Sequence, residues 1–444
     1  MNDFDFFPES YGPEYATLED WVLNESIRFS LDSPGIFNIT VKRLIGSLSP
    51  AVELLGFGEA LHGGEEILLL RNRLFQQLVQ KHGYSAIAIE SSFPRAHAVN
   101  EYVLGRGPAS YDDIRETGFS HNFGRLDANR ELAEWIRQYN TDPSHTTKVR
   151  FYGFDSPTEM TTSDSPRQLL QFVLEYLASV DETEDTDRSD RINALLGDDS
   201  AWENPAAMMD PEQSIGCSPA ASALRIETED LIMELTTRRP ELVAKTGDYC
   251  YHEAVQYASV ARQLLDYHAL LAKKVAPGER IMNGLGWRDA MMADNLAYAV
   301  SCERGRGKVF AFAHNSHLQR GPARWQLGKH ALTWWPAGAH LQEIIGPGYA
   351  VIGSAVGVCE GDGTEEPGDG TLEALLTAVP GPARFIPTYR GRGLPASEIA
   401  ALRVRPGSKK NPGYFALTPQ SFCDFDWLAV LDSAGYTRGG PDIP

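Results

Sequence analysis

Residues 51–64 read AVELLGFGEALHGG, an apolar run that ends on Glu59 and is followed within three residues by His62 and a glycine pair. The first half has the composition of a buried strand. The second half turns sharply and carries a carboxylate and an imidazole, so the stretch reads as a central strand delivering two ionisable groups to the sheet edge.

Three other stretches repeat the pattern. SAIAIESS (85–92) runs to Glu90, KVRFYGFD (148–155) ends on Asp155, and KVFAFAHNSH (308–317) ends in His314 and His317. YAVIGSAVGV (349–358) and DWLAVLD (426–432) are further apolar runs of strand length. Runs apolar on both faces belong to strands covered on both sides. Between them lie helical periods. Ile67, Leu70, Leu74, Leu78 and Val79 recur at spacings of mostly three and four before Gly83, and Leu132, Trp135, Ile136 and Tyr139 do the same over 127–139. Strand alternating with helix predicts an α/β fold with a mostly parallel central sheet flanked by helices.

The middle of the chain differs. From about 160 to 285 the apolar spacing is helical, with Leu169, Leu170, Val173, Tyr176 and Leu177, then Val255, Ala258, Leu264, Leu265 and Leu271. This stretch predicts a helical lobe inserted over the cleft. The expected organisation is an N-terminal extension with a first helix (1–45), α/β core (46–158), helical lobe (159–285) and returning core (286–444). DETEDTDRSD (181–190) and CEGDGTEEPGDG (359–370) read as exposed loops.

Formal charge is −20, from 40 basic and 60 acidic side chains, which speaks against a nucleic-acid or anionic-membrane partner and for a neutral or cationic small molecule. The five cysteines show no CxxC pair, so neither a disulfide framework nor a thiolate zinc site is expected, and the cytoplasm is the expected location. MNDFDFFPESYGPEY (1–15) lacks the basic start and apolar core of a signal peptide. No apolar run approaches the roughly 18 residues that span a bilayer.

In open α/β sheets ligands bind beyond the carboxyl ends of the strands. Here those ends carry Glu59 with His62, Glu90, Asp155, and His314 with His317. Each alone is as readily a helix cap or satisfied loop residue, but four on one edge mark a site. The glycines of 56–64 do not make a dinucleotide loop, because residue 61 is leucine. There is no GxSxG elbow, and no cysteine sits where a thiolate would be favoured. What remains is a histidine acting on water, with carboxylates to hold its tautomer. Arg71 is either solvated or paired with a carboxylate of the cleft. Arg288, Met292 and Asn295 share a helical face in RDAMMADNL (288–296), which places Arg288 as a carboxylate partner or oxyanion stabiliser. His121, in GFSHNFG (118–124), approaches the cleft from a glycine-bearing loop, and His97 and Asn100 either line the site or pack in the core. His82 reads as a helix end, and His145, His330 and His340 read as exposed loop residues.

Together GEALHGGEE with Arg71, AIESS, RDAMMADNL and FAHNSH resemble the erythromycin esterase family, in order from about residue 50 to the closing FDWLAVLDS. The resemblance implies a two-lobed α/β hydrolase that opens a macrolactone or related ester and needs neither metal nor other cofactor. It implies His62 as the general base. Glu59 and Glu90 would orient the base or the water, and His314, His317, Arg71 and Arg288 would hold the carbonyl. Where the family often reads GEATHGT, this chain has Leu61 and Gly64, and the loop 118–124 lacks a tryptophan common there. Both departures bear on the substrate rather than on the charged residues. Two other chemistries use the same side chains: a zinc hydrolase ligated by His62, Glu90, His314 and His317, and a base-catalysed isomerase or cyclase. A non-catalytic binding protein on the same fold is a third alternative.

Overall fold

The computed structural model describes residues 13–158, 162–181, 186–361, 363–407, 410–411 and 413–436. Its strands are β1 (Ile27–Phe29), β2 (Leu54–Glu59), β3 (Tyr84–Ser92), β4 (Arg150–Asp155), β5 (Lys308–His314), β6 (Ala323–Leu327), β7 (His330–Trp334), β8 (Tyr349–Cys359), β9 (Ala383–Pro387) and β10 (Trp427–Ala434). Eight of them form one sheet in the order β1-β9-β10-β8-β2-β5-β3-β4, and β6 and β7 pair separately as a hairpin. From β10 to β4 every pairing is parallel, and β9 runs antiparallel between β10 and β1. The sheet is therefore α/β and mostly parallel, as the alternating runs predict.

Alternation of large and small residues sorts its two faces. Leu55, Phe57, Ile87, Ile89, Phe310 and Phe312 join one core with the helix Glu65–His82. Leu54, Ala86, Ala88, Val309, Ala311 and Ala313 join the other, with the helices Asp248–Leu271 and Pro277–Glu303. The small side chains on that second face let the long helix Pro277–Glu303 lie close to the sheet, and Met292, Ala293, Leu296 and Ala299 pack into it. The helix Glu65–His82 ends where the periodicity predicts, on Gly83 with φ 73°.

Several sequence expectations need correction. The stretch 1–45 is more than an extension with one helix: β1 closes the sheet edge against β9, between the helices Leu18–Glu25 and Pro34–Ser47. The boundary expected at 285–286 falls inside the helix Pro277–Glu303. Thr186–Asp190 of the acidic stretch begin a helix, Thr186–Leu196, and do not form a loop. His330 lies in β7 and His340 in the helix Ala337–Ile345, both partly buried, while His145 stacks on Tyr139 at 3.6 Å. Residues 1–12, 182–185 and 362, parts of three stretches read above, lie outside the described residues. Among the described residues no helix is long and apolar enough to cross a membrane.

Candidate active site

β2 and β5 are neighbours, and their register sets Glu59 beside His314 at the carboxyl edge. Past Glu59 the chain turns, and His62 Nδ1 comes to 2.6 Å from Glu59 Oε1. Glu59 is buried (4 % of its side chain exposed), whereas His62, ringed by protein atoms, keeps 44 % of its side-chain surface open. With Nδ1–H directed at the carboxylate, the lone pair of Nε2 is the one left for chemistry. Burial pushes the imidazole down, but the charge and hydrogen bond of Glu59, helped by Glu90, lift it above the ordinary histidine value.

Glu90 lies where β3 slips register between Ile89 and Ser92, an irregularity of the kind that re-aims a side chain. Its Oε2 accepts the His314 backbone N–H at 2.8 Å and its Oε1 accepts Arg288 Nη2 at 3.0 Å. His317 Nε2 stands 3.3 Å from the same Oε1. Burial alone would raise this carboxyl; His317, His62 and Arg288 together hold it well below the usual range. Arg288 also grips Asp155 with two bonds, Nε to Oδ1 at 2.9 Å and Nη2 to Oδ2 at 2.6 Å. His121 Nε2 reaches the same Asp155 Oδ2 at 3.1 Å. Asp155 is accordingly held down: burial raises it, Arg288 and His121 outweigh burial.

The loop bearing His121 is bent by two successive left-handed residues, His121 (φ 56°) and Asn122 (φ 57°). Ser120 pins it to β3, accepting from Ser92 N–H at 3.0 Å and donating its own N–H to Ser91 Oγ at 2.9 Å. The bend brings the Phe123 ring to 5.8 Å from that of His62.

The HNSH segment is built from both ends. His314 Nδ1 accepts the Ser316 N–H that opens the short helix Asn315–Leu318, so its ring proton sits on Nε2. That Nε2 is buried with no hydrogen-bond partner of normal length and angle among the described residues, and the Gly413 backbone beside the ring favours its protonated form. Burial, then the neighbouring His62, press His314 down to about 3, so it is a neutral donor. Asn315 ties the strand ends together: its Nδ2 donates to Ser354 O at 2.8 Å and its Oδ1 accepts Ser354 N–H at 3.1 Å. Only a glycine fits opposite, because a Cβ on Gly58 would lie 2.2 Å from Asn315 Oδ1. His317 is the reverse of His314. Burial lowers it, but Asp289 at 2.8 Å and Glu90 raise it to about 10, so it is a cation.

Asp289 was not singled out by the sequence reading. It is fully buried and accepts Trp334 Nε1 at 2.6 Å and Ala337 N–H at 2.9 Å, besides facing His317. The signal was its place beside Arg288. Met292 and Asn295 do not face the cleft: Met292 packs in the core, and Asn295 donates to Phe154 O at 3.1 Å. His97 stands apart from the cluster, facing Glu253, while Asn100 serves the core by accepting Phe151 N–H at 3.1 Å.

Arg71 fits neither alternative offered by the sequence. It is 1 % exposed and forms no ion pair among the described residues. It lies 4.7 Å over the Phe312 ring, and Asn72 Oδ1 accepts from its Nε and Nη2 at 3.0 and 2.8 Å. Burial lowers it to about 10 against the pull of Glu59. It lines a small recess, partly open to solvent, with Glu59, Glu90, Leu68, Ile89, Phe123, Leu126, Asn129 and Phe312. Apolar walls with a few converging polar groups suit a small organic molecule. Among the described residues no group of three or more His, Cys, Asp or Glu side chains is placed to hold a metal ion.

The erythromycin esterase family model matches residues 79–431. The chain belongs to that family. The matched span contains Glu90, Asp155, Arg288, His314 and His317, and Glu59 and His62 precede it. Erythromycin esterase type II of Escherichia coli is 24 % identical over 338 residues, 76 % of each chain. The type I enzyme of the same organism is 21 % identical over 305 residues, 68 % of this chain and 70 % of its own. Among solved structures, a Bacillus cereus protein superposes with TM-score 0.72 at 18 % identity, over 96 % of this chain and 98 % of its own. An erythromycin esterase mutant in its open conformation superposes with TM-score 0.64 at 18 % identity, over 91 % and 95 %. Family membership makes this chain a hydrolase of the erythromycin esterase type acting on a small molecule.

Proposed function

We propose that this family member cleaves a carboxylic ester or lactone with a water activated by His62. The observation that carries the reading is the contrast within the cluster. Glu90, Asp155, Asp289, Arg288 and His317 are buried and satisfied by one another, while His62 combines a carboxylate on Nδ1 with a side chain that keeps 44 % of its surface open.

In this reading Nε2 takes a proton as the water oxygen bonds to the carbonyl carbon. The developing oxyanion accepts the His314 Nε2–H, a donor with no hydrogen-bond partner of normal length and angle among the described residues, on a ring whose centroid lies 5.0 Å from that of His62. A neutral histidine held at a helix start is suited to polarise a carbonyl. The intermediate collapses by expelling the alkoxide oxygen, which recovers the proton from His62; the products are a carboxylic acid and an alcohol. Glu59 keeps the His62 tautomer fixed throughout. Arg71 lies on the cavity wall where the acyl part would sit. No step requires a metal, since both Glu90 oxygens and both His317 nitrogens already have protein partners.

A macrolactone is the first substrate class to try, given the family, and the helical stretch 159–285 would wall the cleft on one side. The cytoplasm suits a chain in which Cys217, Cys250 and Cys423 are exposed thiols. The test is mass spectrometry of an ester and macrolactone panel in ordinary and oxygen-18 water, beside His62→Ala. A labelled product heavier by one water, lost by about a hundredfold or more in the mutant, is expected. Near-wild-type turnover by His62→Ala would refute the base, and a product of unchanged mass would refute hydrolysis.

A further inference from the structure

Three side chains on the wall of the recess behind Glu59 have hydrogen-bonding capacity that the described residues do not meet. Glu59 is 3 % exposed; its Oε1 takes the His62 Nδ1–H, but its Oε2 is buried with no hydrogen-bond partner among the described residues. Asn129, on the helix Asp127–Thr141, is 2 % exposed, and its Oδ1 is buried and unpartnered in the same way. Which end of that amide is the oxygen follows from Nδ2, which lies 2.9 Å from Phe123 O, where only a donor belongs. Arg71 is the third. Its Nε and Nη2 donate to Asn72 Oδ1 and Ala128 O, while Nη1 makes no hydrogen bond among the described residues.

Two acceptors and a donor therefore border one small space, whose enclosed part has room for about one water. Their pattern selects the occupant. A metal ion or an ammonium cannot accept from Arg71 and would meet its charge. An anion cannot donate to Glu59 or Asn129 and would meet the carboxylate. An alcohol brings one proton where two acceptors stand. Water brings two protons and lone pairs, and it is the size of the space.

We propose that the recess is a water site, in which a single water accepts from Arg71 Nη1 and donates to Glu59 Oε2 and Asn129 Oδ1. Given His62 as the base, on which this consequence rests, Arg71 and Asn129 are positioning residues that act on it through Glu59. His62 Nδ1 holds one carboxylate oxygen and the water holds the other, so the carboxylate cannot swing away from the imidazole. The water also relays the pull of Arg71 to Glu59, leaving less of that charge to hold a proton on His62. Asn129 is neutral and its only hydrogen bond among the described residues goes to Phe123, so its influence on Glu59 runs through the water.

The test has two parts, and neither needs turnover, so an inert ester panel would refute the hydrolytic reading without touching it. A high-resolution crystal structure of the full chain should show one water within hydrogen-bond distance of all three atoms. No ordered density there, a direct Arg71–Glu59 bond, or Asn129 turned with Nδ2 toward Glu59 would each overturn the site. The second part is an NMR titration of the His62 ring in two variants that both lose the bond to Phe123. Asn129→Met fills the recess with a flexible apolar chain and should raise the His62 midpoint by about half a unit or more. Asn129→Ser keeps an oxygen and leaves the water its room, and should leave the midpoint where it is in the wild type. Glu90, His317 and His314, the other titratable groups that face His62, are the same in both. An unmoved midpoint in Asn129→Met, or an equal shift in the two variants, would overturn the positioning role.

Discussion

Replacing Glu59 with glutamine removes a charge 2.6 Å from the imidazole and almost nothing else. Two unit charges about 4 Å apart attract by about 4 kcal/mol at an effective dielectric of 20. His62 is 44 % open to water, which screens the pair toward the weaker values of exposed ion pairs and leaves roughly 1–2 kcal/mol. That corresponds to about one pH unit. The sign follows from the role: a general base works deprotonated, and Glu59 raises the pH at which His62 loses its proton. In Glu59→Gln the acidic limb of the kcat/KM profile should therefore move down by about one unit. The plateau should fall at the same time by about ten- to a hundredfold, because an amide can present its NH2 to Nδ1 and favour the wrong tautomer. Slower at the plateau yet active at lower pH is a signature that loss of folding does not produce. The assay is a pH series of initial rates on the best substrate of the panel, with wild type and mutant matched for thermal stability. An unmoved limb, or one shifted to higher pH, would refute the pairing of Glu59 with the base.

Stability should fall on both sides of neutrality, for two different histidines. His317, raised to about 10, contributes stability that is complete below the ordinary value of 6.5 and lost as pH climbs toward 10; urea midpoints across that range should drop, and His317→Gln should flatten the slope. His314, lowered to about 3, works the other way: stability is full above 6.5 and declines as pH falls toward 3, where only the unfolded chain has taken the proton. Arg288→Leu strands Glu90 and Asp155 as buried carboxylates and should cost about 3–5 kcal/mol in denaturant melts; a loss below about 1 kcal/mol would show that water reaches them. Gly58→Ala forces a methyl onto Asn315 and should cost about 1–3 kcal/mol, with Gly58→Ala/Asn315→Ala less destabilised than the two single losses added together, as measured by a thermal double-mutant cycle. Dialysis against a chelator should leave the hydrolytic rate unchanged within error, and a loss restored by zinc would favour the metal reading of the same side chains.

The candidate cluster was largely legible because each parallel strand ends where its apolar run ends. Glu59, Glu90, Asp155 and His314 stand at or next to those ends, and the sheet order, which the sequence does not state, brings β2, β5, β3 and β4 side by side. Edge elements were less legible. β1 has three residues, and β9 reads ARFIP, with an arginine where a buried strand should be apolar. Arg384 is nevertheless fully buried, because the carbonyl oxygens of Leu376 and Gly381 and the carboxylate of Asp432 accept from its two terminal nitrogens. Periodicity cannot anticipate so local a set of partners. Asp289 was missed for a geometric reason. Successive helical residues point about 100° apart, so a face drawn through Arg288, Met292 and Asn295 excludes it. The helix instead runs along the cleft edge, so Arg288 reaches the carboxylates of β3 and β4 while Asp289 reaches His317 and Trp334.

The charges of the cluster bear on why the proposed base would be His62. Around the cleft stand four carboxylates, Glu59, Glu90, Asp155 and Asp289, against three cations, Arg71, Arg288 and His317. Arg288 answers Asp155 and part of Glu90, and His317 answers Asp289 and the rest of Glu90. Arg71 pulls on Glu59 from across the cavity without reaching ion-pair distance, so Glu59 is the least compensated of the four. Its direct partner is His62, the group that would gain a proton during attack on a carbonyl. The site thus holds one negative charge too many, and in the proposed mechanism the imidazolium formed during attack would answer it, while the oxyanion would fall to the neutral donor on His314. An interaction that strengthens only as the transition state forms lowers the barrier rather than merely tightening binding. The same reasoning explains why a cation at position 314 would be a poor substitute for the neutral ring: it would supply the missing charge in the resting enzyme and push the proton off His62 before any substrate arrived.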